Sequence, residues 1–327
     1  MKVDNGSHVP SSWLKVPGKK EEMFSYYKNT HLDWSINKLK SLRDEFPEYS
    51  LSGVVEQLSN FFRLFWLYNG KEETNSFLYY LNQLRQAWFR YTMNDGKPVT
   101  LTLVDRQIKV TGKFNNYRIS SSEVTEGIQI ALLLRDREGL DFYAQIPVSF
   151  TEQANQEDLL VETTMAFYQL IAKGNDSPKE AQAAFYALKE LFEWDTYNRY
   201  VTKEGFNQEW VWRIIFEDRK EYAEYVSLPV INIYYQIWEN NQLGFEDAVR
   251  LALEKWKVYY TKVWVDENQE EQDRSLWGQG YLSLPIAAAC AFGYDRGLRL
   301  KNLESSYIPQ WLIEGNFSRI NLLLQDT

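Results

Sequence analysis

The chain has 327 residues, of which 44% are hydrophobic and 16% aromatic, and it carries a formal net charge of −9 at pH 7. This composition excludes a disordered chain, and the acidity excludes the clustered Lys and Arg that nucleic acid or an anionic membrane surface would require. The one cysteine, Cys290, excludes an intramolecular disulfide and suits the cytoplasm.

Residues 1–19, with Gly6, Pro10, Pro17 and Gly18 among polar neighbours, read as a flexible lead without an apolar signal core. No later stretch approaches the ~18 apolar residues of a membrane span. Residues 20–327 read as one helical domain, with a candidate subdomain division near 115–122. Apolar positions at helical spacing predict a helix from Lys20 to Phe46, stopped by Pro47. A second helix follows from Ser50 to Asn69-Gly70, a favoured C-terminal pair. A third starts near Thr74, carries Phe77, Leu81, Leu84, Trp88 and Tyr91 on one face, and closes at Asp95-Gly96.

The period then changes from 3.6 to 2. Val99, Leu101 and Leu103 alternate with Thr100 and Thr102, and Ile108 and Val110 flank Lys109, which predicts a β-hairpin turning near Asp105-Arg106. Helical spacing returns at about Glu123–Ile146, Asp158–Lys173, Pro178–Trp194, Asn207–Glu217, Pro229–Asn240, Phe245–Tyr260 and Leu282–Arg296. The junction Gly174-Asn175-Asp176-Ser177-Pro178 combines a C-cap, an N-cap and a proline at the first helical position, which implies an antiparallel pair. The expected fold is mainly α, an array of antiparallel helical hairpins with one small β-hairpin inserted.

Catalytic chemistry finds little to work with. The two histidines are His8, in the lead, and His31, so histidine-based metal sites and Ser-His-Asp or Cys-His arrangements are nearly excluded. Cys290 lies among Ala287, Ala288, Ala289, Ala291 and Phe292, which supply no base and favour a packed, inert thiol. Gly278-Gln279-Gly280 lacks the strand-turn-helix context of a phosphate loop and reads as a flexible turn. No cofactor is expected. In Arg135-Asp136-Arg137, three charges follow an apolar helix, and Asp136 is expected to pair a neighbouring Arg where that helix reaches the surface.

One polar run has no apolar residue at all: Asp266-Glu267-Asn268-Gln269-Glu270-Glu271-Gln272-Asp273. It must be solvated, and it reads either as a loop between helices or as a lure for a cationic partner. Trp264 before it and Trp277 after it are the expected aromatic anchors, since such residues concentrate binding energy at interfaces. The candidate contact residues are therefore Asp266, Glu267, Glu270, Glu271, Asp273, Trp264 and Trp277.

Near the C-terminus come Gly280-Tyr281-Leu282-Ser283-Leu284-Pro285, Ala287-Ala288-Ala289, Tyr294-Asp295-Arg296-Gly297-Leu298 and Ser305-Ser306-Tyr307-Ile308-Pro309. This series resembles the immunity protein 49 family of bacterial polymorphic-toxin systems. Gln129 to Asp141, ending at Ile146-Pro147, resembles a second stretch of the same family; together with the helices between them, the resemblance covers about Leu51 to Leu312. The resemblance implies an all-helical cytoplasmic protein that protects its producer by binding a toxin. A rival resemblance, to immunity proteins of polymorphic nuclease toxins, implies the same class of function. The expected partner is a basic toxin such as a nuclease, bound by occlusion of its active site. Two other readings stay open: a carboxylate-dependent hydrolase of helical-barrel type, which needs two facing acids in an aromatic cleft, and a helical-repeat scaffold with a long concave surface.

Overall fold

The structure is a computed structural model describing residues 19–44, 48–68, 71–154, 159–174, 177–190, 218–266 and 269–316. Three long helices open it: α1 (Lys19–Asp44), α2 (Glu48–Tyr68) and α3 (Lys71–Met93), with α1 packed on α2 and α2 on α3. Strands β1 (Pro98–Leu103) and β2 (Arg106–Thr111) form the expected antiparallel hairpin, in which Val99 faces Val110 and Leu101 faces Ile108. Its turn falls one residue earlier than the sequence predicts, on Val104 and Asp105, both at positive φ (48° and 65°). Such a turn matches the twist of a hairpin but is unfavourable for a β-branched residue. Tertiary contacts hold it: Val104 is buried, and the Asp105 carboxylate accepts hydrogen bonds from Tyr79 Oη (3.1 Å) and Gln83 Nε2 (3.0 Å) of α3.

After the hairpin come α4 (Ser121–Leu134), α5 (Arg137–Tyr143), α6 (Val148–Ala154), α7 (Leu159–Ala172) and α8 (Pro178–Glu190). The sequence predicts one helix over Glu123–Ile146, and the structure divides it. Arg135 takes a left-handed conformation (φ 55°) that ends α4, and Asp136 caps α5, accepting a hydrogen bond from the Gly139 N–H (3.0 Å). The expected pairing of Asp136 with a neighbouring Arg is not formed. Its other oxygen accepts from Asn82 Nδ2 (2.7 Å) and Gln86 Nε2 (2.8 Å) of α3, while Arg137 pairs with Asp141 (2.9 Å). An N-cap carboxylate flanked by two amide donors is already satisfied, so it has no need of a guanidinium. Pro147 ends one segment as read, but α6 begins immediately after it, where no helix is predicted.

Residues 218–238 form one helical rod with a π-helical turn, Ala223–Ser227, leading into α9 (Leu228–Trp238). Then follow α10 (Gln242–Tyr260), strands β3 (Val263–Val265) and β4 (Glu271–Asp273), the 3-10 turns Arg274–Leu276 and Gly278–Tyr281, α11 (Leu284–Asp295) and α12 (Gln310–Glu314). Gly278-Gln279-Gly280 is thus a 3-10 turn and not a flexible one; Trp256 Nε1 fixes it by donating to the Gly280 carbonyl (2.9 Å). The predicted helix Asn207–Glu217 and the end of Pro178–Trp194 lie outside the described residues, as does His8.

Helix α4 lies at the centre, packed against α3, α7 and α11. Val124, Ile128, Ile130, Ala131 and Leu133 are fully buried, and a helix that is apolar on nearly every side belongs inside a protein. Close approach is built in at Gly127, where any Cβ would overlap the ring of Tyr143. In α11 the run Ala287–Ala291 is also buried, its small side chains letting that helix lie against α4.

Candidate functional site

The acidic run is a hairpin tip, not an open loop. Val263 pairs with Asp273, Trp264 with Gln272 and Val265 with Glu271. Asp266 closes the turn: its carboxylate accepts hydrogen bonds from the Glu270 N–H (2.9 Å) and from Gln272 Nε2 (2.9 Å), and its own N–H donates to the Glu270 carbonyl (2.9 Å). Asp273 caps the 3-10 turn by accepting from the Ser275 N–H (2.8 Å). The expectation that all five carboxylates are simply solvated is therefore corrected. Asp266 and Asp273 are half-buried and occupied by local backbone, because short Asp side chains satisfy nearby N–H groups. Glu270 and Glu271 are exposed at the rim, and Glu267 lies outside the described residues.

The two tryptophans converge on a residue that the sequence does not single out. Arg274 is 2% exposed, and its guanidinium carbon lies 4.0 Å from the ring centre of Tyr259, 4.8 Å from Trp264 and 5.5 Å from Trp277. Such a cage attracts a cation by the negative faces of its rings. Arg274 Nη2 also lies 2.9 Å from Glu221 Oε2 and 3.7 Å from Asp218, and Glu221 Oε1 takes Lys262 Nζ at 2.7 Å. Burial alone would raise the Glu221 pKa, but the hydrogen bonds from Arg274 and Lys262 outweigh it and hold the carboxyl below its ordinary range. Burial pushes the phenol of Tyr259 up to about 12, against the opposing charge of Arg274. Arg274 and Glu221 had no signal in the sequence, since they are brought together across 53 residues.

Around this cage the surface is apolar as well as acidic. Val263 and Val265 point to one face of β3, opposite to Trp264, and are 46% and 59% exposed; Leu276 is 50% and Trp277 44% exposed. Four of the ten large hydrophobic side chains that are exposed among the described residues thus fall within the fifteen positions from Val263 to Trp277.

A second constellation lies deeper. Arg85, fully buried, places Nη2 2.9 Å from Glu123 Oε2, 3.2 Å from Glu126 Oε1 and 2.7 Å from Ser59 Oγ. Arg63 stands 3.6 Å from Glu126, and Arg118 3.2 Å from Glu123. The hydrolase reading requires one of two acids to hold a proton near neutrality. Burial would raise the Glu126 pKa, but the charges of Arg85 and Arg63 prevail and keep it low, which unfits this pair for an acid-base couple. Cys290 is buried and its thiol pKa is pushed far up by desolvation. His31 lies in α1. Among the described residues no group of three or more His, Cys, Asp or Glu is placed to hold a metal ion, and no helix is long and apolar enough to cross a membrane.

The family-like patches meet in one region. Tyr294, Leu298, Ser305, Ser306, Ile308 and Pro309 line a cleft of about 580 Å³ between α11 and α12, and Arg135 joins both helices to α4 through Asp295 (2.9 Å) and the Ile313 carbonyl (2.6 Å). Comparison with curated proteins and with solved structures gave no match. The family model described as immunity protein 49 matches residues 52–312, from α2 to α12. That span is most of the chain and includes the acidic hairpin, the Arg274 cage and the buried ion-pair network, so the chain belongs to the immunity protein 49 family.

Proposed function

We propose that this chain exerts its immunity-protein role by binding a basic toxin, such as a nuclease, over the face built from β3, β4 and the 3-10 turn Arg274–Leu276, so that the toxin's active site is covered. The observation that carries this reading is the coincidence, on one short segment, of exposed Val263, Val265, Leu276 and Trp277 with exposed Glu270 and Glu271. Apolar and aromatic anchors inside a charged rim are the usual anatomy of an interface, in which the anchors set residence time and the rim sets arrival rate. The net charge of −9 favours a cationic partner. A stable inhibitory complex buries roughly 1,200–2,000 Å² in total, more than this segment supplies, so neighbouring parts of the surface would join the contact. The setting is the cytoplasm of a bacterium that carries a polymorphic-toxin system.

The test is co-expression with the product of the adjacent gene, followed by co-purification and calorimetry. Trp277→Ala is expected to weaken the complex by about 2 kcal/mol or more, in the range of interface hot spots, and also to lower the melting temperature, because its ring packs on Arg274. Val265→Asp, at a 59% exposed position, should weaken the complex with the melting temperature nearly unchanged. Full affinity in Trp277→Ala and Val265→Asp would place the interface elsewhere.

A further inference from the structure

A groove between α3, the β1–β2 hairpin and the start of α5 takes no part in the toxin interface proposed above. Its volume is about 490 Å³, within the roughly 300–1,000 Å³ of ligand clefts. One wall is a face of α3 that carries Gln86 and Arg90, one turn apart. Another is the exposed face of the hairpin, with Thr100, Thr102 and Gln107, the last two being cross-strand partners. The apolar lining is confined to Ala87 and Leu134, and two carboxylates, Asp136 and Glu138, also border the groove.

Two observations point to an occupant. First, Arg90 is half-buried, with its guanidinium carbon 4.2 Å from the ring centre of Phe142 in α5. The other buried and half-buried arginines among the described side chains, Arg63, Arg85, Arg118, Arg135, Arg250 and Arg274, each pair with a carboxylate. Arg90 meets none and donates no side-chain hydrogen bond among the described residues, and its N–H groups are not sealed from solvent. A ring contact occupies the flat face of a guanidinium and leaves free the in-plane fork of N–H donors, which matches a carboxylate. Second, both walls offer neutral hydrogen-bonding groups. Gln86 spends Nε2 on Asp136 and keeps its carbonyl oxygen, while Thr100, Thr102 and Gln107 are exposed without a side-chain partner among the described residues.

We propose that this groove binds the carboxyl-terminal end of an extended peptide, with the terminal carboxylate on Arg90. The spacing selects an extended chain. Gln86 stands four helical residues from Arg90, about 6 Å along the axis at ~1.5 Å each, and Thr100 and Thr102 are two strand residues apart, again about 6–7 Å. Both distances equal the two-residue advance of an extended peptide, whose successive groups each present one N–H donor and one C=O acceptor to the amides and hydroxyls of the walls. The charges select a monoanion. Asp136 is already satisfied by the Gly139 N–H, Asn82 and Gln86, and Glu138 is exposed, so two negative charges face the single positive one and oppose a phosphate dianion. The sparse apolar lining favours small side chains on the peptide.

The experiment is saturation-transfer NMR on the full chain with acetyl-trialanine as the free acid and as the carboxyl-terminal amide, with sodium phosphate as a competing anion. The free acid is expected to bind, and the amide at least tenfold more weakly, the effect of losing a charge-assisted bidentate pair. Arg90→Gln should abolish that discrimination, and Arg90→Lys should retain only part of it, because an ammonium keeps the charge without the fork. Thr102→Val, at an exposed strand position that suits valine, should keep the melting temperature and weaken both forms about three- to tenfold. No binding of the free acid, equal binding of acid and amide, tighter binding of phosphate than of the free acid, or a preference for the acid that survives in Arg90→Gln would each overturn the proposal.

Discussion

Arg85 shows how one side chain can be indispensable without touching a partner protein. Its guanidinium faces Glu123 and Glu126 from a fully buried position, so Arg85→Ala would leave two carboxylates short of their counter-charge. A loss of about 3–5 kcal/mol is expected, measured by urea denaturation, as for any broken buried pair. The same network makes stability depend on pH. The folded-state pKa of Glu126 lies below its unfolded value, so its contribution is present above that value, near pH 4.3, and is lost as pH falls through the folded pKa. Melting temperatures should therefore fall on acidification below about pH 4.5, and the fall should be shallower in Glu126→Gln. Asp136 is a local counterpart. Asp136→Ala removes the cap of α5 and strands Asn82 and Gln86, for an expected loss of about 1–3 kcal/mol, whereas Asp136→Asn keeps an acceptor for the cap and should cost less. Chemical denaturation of both variants checks this ordering.

At the scale of the element, the β3–β4 hairpin separates charges that look equivalent in sequence. Glu270 and Glu271 are exposed, while Asp266 and Asp273 hold the turn and the 3-10 cap. Glu270→Gln with Glu271→Gln should slow association with a basic toxin and flatten its salt dependence, leaving dissociation little altered, since rim charges act over about one Debye length, ~8 Å at physiological salt. Asp266→Asn should instead loosen the hairpin, because an amide is a weaker acceptor for the Glu270 N–H and Gln272. Stopped-flow binding at several salt concentrations distinguishes the two, and an unchanged association rate in the Glu variant would remove the lure. The hairpin was not legible beforehand because three-residue strands are too short to show a period, and Glu-Gln-Asp carries no apolar alternation. The longer β1–β2 hairpin, with six residues in each strand, was legible for the converse reason.

Across the whole molecule, Arg135 ties the centre to the C-terminal helices, reaching Asp295 of α11 and the Leu312 and Ile313 carbonyls of α12 from the end of α4. Arg135→Ala should lower the melting temperature, by about 1–3 kcal/mol of stability for the unpaired carbonyls, and leave toxin affinity intact. Lost affinity with a normal melt would put Arg135 in the interface. By itself the sequence determined most of the helices, though not the short α6 and α12, and also the first hairpin, the packed position of Cys290 and the family. Those features rest on periodicity, on prolines and caps at fixed offsets, and on runs of neighbouring residues, all of which are local. Only the tertiary structure decided that Trp264 and Trp277 close on Arg274, that Glu221 meets it from 53 residues away, that α4 and α5 part at Asp136, and that Arg85 of α3 meets Glu123 and Glu126 of α4. Each of these joins side chains from separate elements, and spacing along a chain carries no signal for partners chosen by packing.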